Sequence, residues 1–205
     1  MKMHDKVWFP VLYMFLATLF FSAILIVFGA FTRQRVEDNE RIAFERAVLE
    51  AVPIELAKRI SPAEIHRLYV ENIRDATPQT GGALLYMKDD SLIAYALPLD
   101  GPGFWAPIKG VIGIAQDMRM ITGIAFYEQN ETPGLGGEIT KPQFRNQFEG
   151  KKLATGGVPL EMRLPTEALD ESSVHAITGA TQTSTRFADF MNEQLRAWRA
   201  TVEER

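Results

Sequence analysis

Residues 7–31 (VWFPVLYMFLATLFFSAILIVFGAF) carry no charged side chain over 25 positions, and nothing else in the chain constrains its fold as strongly. As a helix this run rises about 37 Å, enough to cross a hydrocarbon core of roughly 30 Å with some tilt. A helix satisfies every backbone group within one segment, which lipid demands. A signal peptide is the competing reading. The run is longer than an h-region of roughly 7–15 residues, and no small-x-small cleavage pattern closes it. Gly29, Ala30 and Phe31 are the nearest approach to one. The expectation is an uncleaved transmembrane helix at 7–32 behind a short segment, 1–6. Lys2 and Lys6 precede it, and Arg33 and Arg35 follow, so the excess of positive charge on either side discriminates little.

The rest of the chain must supply a folded domain. With 205 residues, a net charge of −4 and 46% apolar residues, there is room for one modest domain beyond the anchor. The absence of cysteine excludes disulfides, thiol chemistry and thiolate-ligated iron–sulfur clusters. His4, His66 and His175 are far apart and form no metal-ligand spacing. No carboxylate pair or Ser–His–Asp set suggests catalysis, so no catalytic or metal-binding residue is assigned and no nucleic-acid partner is expected.

Residues 33–60 are rich in Arg, Glu and Ala and read as a juxtamembrane helical stalk, broken near Pro53. Ser61 then has the place of an N-cap, with Pro62 at the first helical position and Glu64 three residues on. From about Gly81 the pattern becomes strand-like. Residues 83–87 and 92–97 form one hairpin across 88–91, and 111–115 and 120–127 form a second across 116–119. Between them, 101–107 (GPGFWAP) is a loop dense in glycine and proline that carries Phe104 and Trp105.

Two stretches hold the chemistry. The first, 131–137 (ETPGLGG), has one proline torsion fixed and three glycines that permit positive φ or close approach to a ligand. Leu135 is its one bulky apolar residue, suited to plug the core or to lie against a flat ring. Glu131 is placed to accept from a backbone amide or from a donor on a ligand's edge, or to cap its own loop. The second, 178–184 (TGATQTS), holds four hydroxyls and runs into a helix whose Phe187, Phe190, Met191, Leu195 and Trp198 share one face. Thr183 or Ser184 has the place of an N-cap, and the free amides there favour an anion such as phosphate.

Together these stretches resemble the FMN-binding domain found in the C subunit of the Na⁺-translocating NADH:quinone oxidoreductase and in the G subunit of the Rnf complex. The resemblance rests on Glu-Thr-Pro-Gly-Leu-Gly at 131–136 and Thr-Gly-Ala-Thr-x-Thr at 178–183. Gly103, Phe104 and Trp105 stand where the quinone-reductase protein has a Gly-Leu-Trp-like run, which makes it the nearer relative. The resemblance implies an α+β fold: a single N-terminal transmembrane helix, then an FMN-binding domain at 61–205 with an antiparallel-rich sheet flanked by helices. It implies FMN attached covalently through its phosphate to Thr181, with Thr178, Gly179, Ala180 and Thr183 shaping the phosphate site. Glu131, Thr132, Gly134, Leu135, Gly136 and Trp105 complete the expected cofactor-binding set. It also implies an electron-relaying subunit of a membrane redox complex, matured by a flavin transferase. The N-terminus would be cytoplasmic and the domain on the periplasmic face of a bacterial inner membrane. One position departs from the family. The acidic residue usually found three places before the first Ser/Thr is His175, so a transferase that reads that carboxylate would need Asp170 or Glu171 instead. The alternative is an FMN-lacking structural or assembly subunit of such a complex.

Overall fold

The computed structural model describes residues 8–57 and 60–203; the expected cytoplasmic segment 1–6, with Lys2 and Lys6, lies outside the described residues. Helix α1 (Trp8–Ala51) contains residues 8–31 of the apolar run. It is long and apolar enough to cross a membrane, and its most apolar window buries nothing within the protein. The chain divides into two compact units, 1–41 and 42–205. In the first, Arg33 pairs with Glu37 and Arg41 with Asp38 along the helix surface.

The second unit is built on a five-stranded antiparallel meander: β1 (Ile73–Arg74), β2 (Leu84–Lys88), β3 (Ser91–Pro102), β4 (Pro107–Ala115) and β5 (Ile121–Glu128), in that spatial order. The β2–β3 turn is a two-residue loop, with Lys88 paired to Ser91 and positive φ at Asp89 (49°) and Asp90 (59°), as a type I′ turn requires. The glycine- and proline-rich stretch is tighter than its composition suggests. Gly101 and Pro102 end β3, Pro107 begins β4, and only 103–106 forms the loop.

Most of β4 is buried on both faces, since layers cover the sheet on each side. On one face, Leu97, Leu99, Ile108, Ile112, Ile114 and Ile124 pack against α4 (Thr181–Glu203) and α3 (Pro142–Arg145). The helical face expected of α4 is the one that packs, because Phe187, Phe190, Met191, Leu195 and Trp198 are all buried. Fully burying a side chain such as Phe187 contributes about 2–3 kcal/mol.

The other face is lined by small residues, and a helix end lies directly on it. Ala96, Gly113 and Gly123 are cross-strand partners, and a Cβ on Gly113 would collide with the Ala51 carbonyl. That carbonyl, an orphan of the C-terminus of α1, accepts from the Thr122 hydroxyl at 2.7 Å. Glu50 pairs with Arg145 at 2.7 Å. The expected solvated stalk therefore ends early: Ala47, Val48, Leu49, Ala51 and Val52 are core, and the compact unit starts near 42 rather than 61. These apolar residues outweigh their charged neighbours once a sheet face is offered to them. Helix α2 (Pro62–Asn72) begins as expected, with the Ser61 hydroxyl accepting from the Glu64 amide at 3.2 Å. A parallel pair not anticipated from sequence, β6 (Glu161–Arg163) with β7 (Ser173–His175), leads into α4.

Candidate functional site

Three short segments meet at the N-terminus of α4: the β3–β4 loop 103–106, the 131–137 loop and the turn 178–180. Glu131 joins them. It is only 5% exposed, and each carboxylate oxygen accepts one hydrogen bond. Oε1 takes the Trp105 amide at 2.9 Å, and Oε2 takes the Thr183 hydroxyl at 2.6 Å. Two glycines leave room for this carboxylate. A Cβ on Gly136 would lie 2.5 Å from Thr183 Oγ1 and 2.6 Å from Glu131 Oε2, and one on Gly103 would lie 2.6 Å from Oε1. Of the roles open to Glu131, it accepts an amide, and from another loop. Its own loop is closed instead by the Thr132 carbonyl, which accepts from the Leu135 and Gly137 amides at 3.1 and 3.0 Å.

Helix α4 begins at Thr181 rather than after a hydroxyl cap. The Ser184 amide donates to the Ala180 carbonyl at 3.0 Å, so the amides of Thr181, Gln182 and Thr183 precede the first intrahelical bond. Neither expected cap acts as one. The Thr183 hydroxyl is committed to Glu131, and Ser184 Oγ accepts from the Ile177 amide at 3.0 Å. Both side chains lie inside the first turn, so they reach segments packed beside the helix rather than its own leading amides. Gly179 turns the chain into the helix with φ of 76°.

Thr181 and Thr178 are exposed and Ala180 is buried. Thr181 stands on the rim of two cavities. One, of 350 Å³, is walled by Phe104, Trp105 and Leu135, with Glu131, Thr132 and Gly136 at its base and the 179–183 backbone along one side. The other, of 570 Å³, lies between α4 and the β6–β7 segment, against Val158, Met162, Leu164 and Ile177. Thr178 and Gly134 line a third cavity of 580 Å³ with Glu138, Lys141 and Gln147, apart from the aromatic wall. Of the residues singled out from sequence, the structure thus brings Trp105, Glu131, Thr132, Leu135, Gly136, Gly179, Ala180, Thr181 and Thr183 together at the aromatic-walled cavity; Thr178 joins Gly179 and Thr181 in the 570 Å³ cavity instead, and Gly134 is left to one side.

Phe104 and Trp105 are not core. They are 44% and 69% exposed and pack edge to face with centroids 4.9 Å apart. The residue that sequence reasoning missed is Arg186. Its Nη1 donates to the Gly103 carbonyl at 2.8 Å, and its guanidinium lies 5.6 Å from the centre of the Phe104 ring. The available signal was position, since Arg186 lies three residues beyond Thr183 on the same helix and flanks the buried face.

The basic and acidic residues near the turn are engaged elsewhere. Lys151 Nζ donates to the Asp170 carbonyl, and Lys152 pairs with Glu171, both at 2.7 Å. The Ser173 hydroxyl and then the Ser172 amide hold the Asp170 carboxyl below its ordinary range, with Arg163 adding to the effect. The His175 ring meets the Glu167 carbonyl at 2.9 Å.

Residues 103–196, which contain all three segments, match the FMN-binding domain family. Among similar proteins is the C subunit of the Na(+)-translocating NADH-quinone reductase of Neisseria meningitidis serogroup B, 36% identical over 160 residues, covering 74% of this chain and 60% of that protein. Its counterpart from Pasteurella multocida is 38% identical over 144 residues, covering 67% and 54%. The chain therefore spans little more than half the length of these relatives. The crystal structure of the corresponding protein from Parabacteroides distasonis superposes with a TM-score of 0.70 at 24% identity, covering 83% of this chain and 96% of that one. Shewanella oneidensis NqrC superposes at 0.67 with 18% identity, covering 83% and 100%. These two likenesses establish the shared fold. Residues 103–196 thus match the FMN-binding domain family, in a chain that is similar to the C subunits of Na(+)-translocating NADH-quinone reductases over most of its length.

Proposed function

We propose that this chain is a membrane-anchored flavoprotein subunit that carries FMN esterified to Thr181 and relays electrons within an ion-translocating NADH:quinone oxidoreductase complex. The observation that carries this reading is the place of Thr181: an exposed hydroxyl at the open N-terminus of α4, on the rim of a cavity with an aromatic wall. The residues present fit the group. Three first-turn amides ahead of the first intrahelical bond, together with the helix dipole, suit a phosphate, and Gly179 and Ala180 keep bulk away from a ribityl chain. Phe104 and Trp105 offer flat apolar surface for a ring, and Leu135 adds an aliphatic contact. No Lys or Arg is among the described residues lining this cavity, so backbone donors do the anion binding.

FMN, when bound, supplies the electron-transfer chemistry, and the protein supplies placement and polarity. An ester at Thr181 leaves the ring electronically untouched and prevents loss of the cofactor to a dilute compartment. Glu131 acts at one remove, fixing Trp105 and the first turn of α4 relative to each other. The apolar part of α1 serves as the anchor. The domain faces the periplasm, and a flavin transferase completes the protein. The partners are the other subunits of the complex.

An intact mass of the chain purified from its native membrane tests the reading. The expected result is a gain equal to FMN less one water, with in-gel flavin fluorescence that survives denaturation and vanishes in Thr181→Ala. An unmodified, non-fluorescent chain would sink it and favour the assembly-subunit reading. For orientation, Lys88→Cys provides a single exposed thiol in a chain that otherwise has none. Labelling by a membrane-impermeant maleimide in intact cells is expected, and protection until lysis would reverse the orientation.

A further inference from the structure

We propose that Arg186 is a positioning residue that presets the aromatic wall of the flavin cavity, an inference that rests on the FMN reading above. The 103–106 loop carries two exposed aromatic residues, Trp105 the more so, so ring burial alone does not hold it. The Gly103 amide closes the loop on the Ala106 carbonyl at 2.9 Å, and two further polar ties end on the first turns of α4. One is the Glu131 bridge from the Trp105 amide to the Thr183 hydroxyl. The other is Arg186, which grips the loop twice, by its hydrogen bond to the Gly103 carbonyl at 2.8 Å and by its guanidinium face 5.6 Å from the Phe104 ring. Phe104 passes that constraint to Trp105 through their edge-to-face contact.

Arg186 lies five residues after Thr181 on the same helix. One rigid element therefore presents the attachment hydroxyl and also holds the wall that faces it. The loop's own closure and Glu131 restrain its backbone through the Gly103 and Trp105 amides, but neither touches the Phe104 ring. Arg186 adds a tie at the Gly103 carbonyl and at that ring. Lysine cannot substitute, because a point charge on a flexible stem has neither the planar face nor the fork needed to bond and stack at once.

The test uses the full chain in detergent, first in the Thr181→Ala background, which carries no flavin at that position. A cation–π contact and one charge-assisted hydrogen bond together predict that Arg186→Gln speeds amide exchange at Gly103 and Trp105 about tenfold, through easier local opening. Arg186→Lys is expected to leave exchange there fast, while the centre of β4 is unchanged in both variants. Unaltered exchange at the tip, or full rescue by lysine, would overturn the proposal. With Thr181 intact, the visible circular dichroism of the bound flavin should weaken in Arg186→Gln, a signature that a merely structural latch would not move. A loosened tip with an unchanged flavin spectrum would likewise overturn it. If the Thr181 chain carries no flavin, the FMN reading fails, while the exchange result still decides whether Arg186 orders the loop.

Discussion

Two hairpin loops of the same meander differ in how much of the rest of the chain holds them. The β2–β3 turn is made by its own residues, Asp89 and Asp90, both with positive φ. Its strands pair up to the last residues on either side, and no helix is needed to explain it. The β3–β4 loop also closes on itself, through the Gly103 amide and the Ala106 carbonyl at 2.9 Å, yet it is braced in addition by groups far away in the chain: Glu131 lies 26 residues from Trp105, and Arg186 lies 83 residues from Gly103. The first loop only reverses the chain. The second displays two exposed aromatic rings beside Thr181. A loop that must hold apolar side chains in water at a set position needs outside ties, because the hydrophobic effect works against the arrangement.

The contrast can be broken at its tightest point. Gly136→Ala places a methyl group against both Thr183 Oγ1 and Glu131 Oε2, so the bridge must open or the backbone must move. A loss of about 3 kcal/mol is expected in denaturant unfolding. A loss below about 1 kcal/mol would mean that the junction is plastic. Glu131→Ala removes the bridge without adding bulk and leaves the Thr183 hydroxyl and Trp105 amide without their acceptor. About 2 kcal/mol is expected, with faster exchange at Trp105 and no change at the Asp89–Asp90 turn. An equal response at both loops would erase the distinction between them.

Asp90→Gly probes the self-made turn from the other side. Relief of a positive φ on a non-glycine residue should stabilise the protein by about 0.5–1 kcal/mol, without altering the 103–106 loop. A destabilisation would show that the aspartate does more than turn the chain. The smallest effect concerns pH. The folded-state pKa of Asp170 is depressed, so its contribution is complete above the unfolded value of 3.8 and is lost only as pH falls through the lower folded value. The Ser172 amide, which donates to Asp170 Oδ1 at 2.9 Å, should therefore titrate by NMR with a midpoint below 3.8. A midpoint at or above that value would remove this brace beside the 570 Å³ cavity.

Much of the architecture follows from local pattern alone. The charge-free run at 7–31, the two hairpins, the Ser61 cap and the buried face of α4 each follow the period or the end chemistry of a single element. The glycine-rich and hydroxyl-rich stretches, taken as a pair, likewise point to the FMN-binding domain by themselves. What the sequence did not disclose involves partners distant along the chain. Residues 42–52 continue a charged stretch and themselves include Glu45, Arg46 and Glu50, and only the small-residue sheet face at Ala96, Gly113 and Gly123 decides that their apolar side is core. Thr183 looks like a cap in isolation, yet its hydroxyl serves Glu131, 52 residues away. Arg186 looks like any exposed helical arginine until the β3–β4 loop lies against it. The physical reason is common to all three. Periodicity and capping are settled within one or two turns of chain, whereas a contact across 26 to 83 residues exists only once the fold has met the entropic cost of closing the loop between its ends.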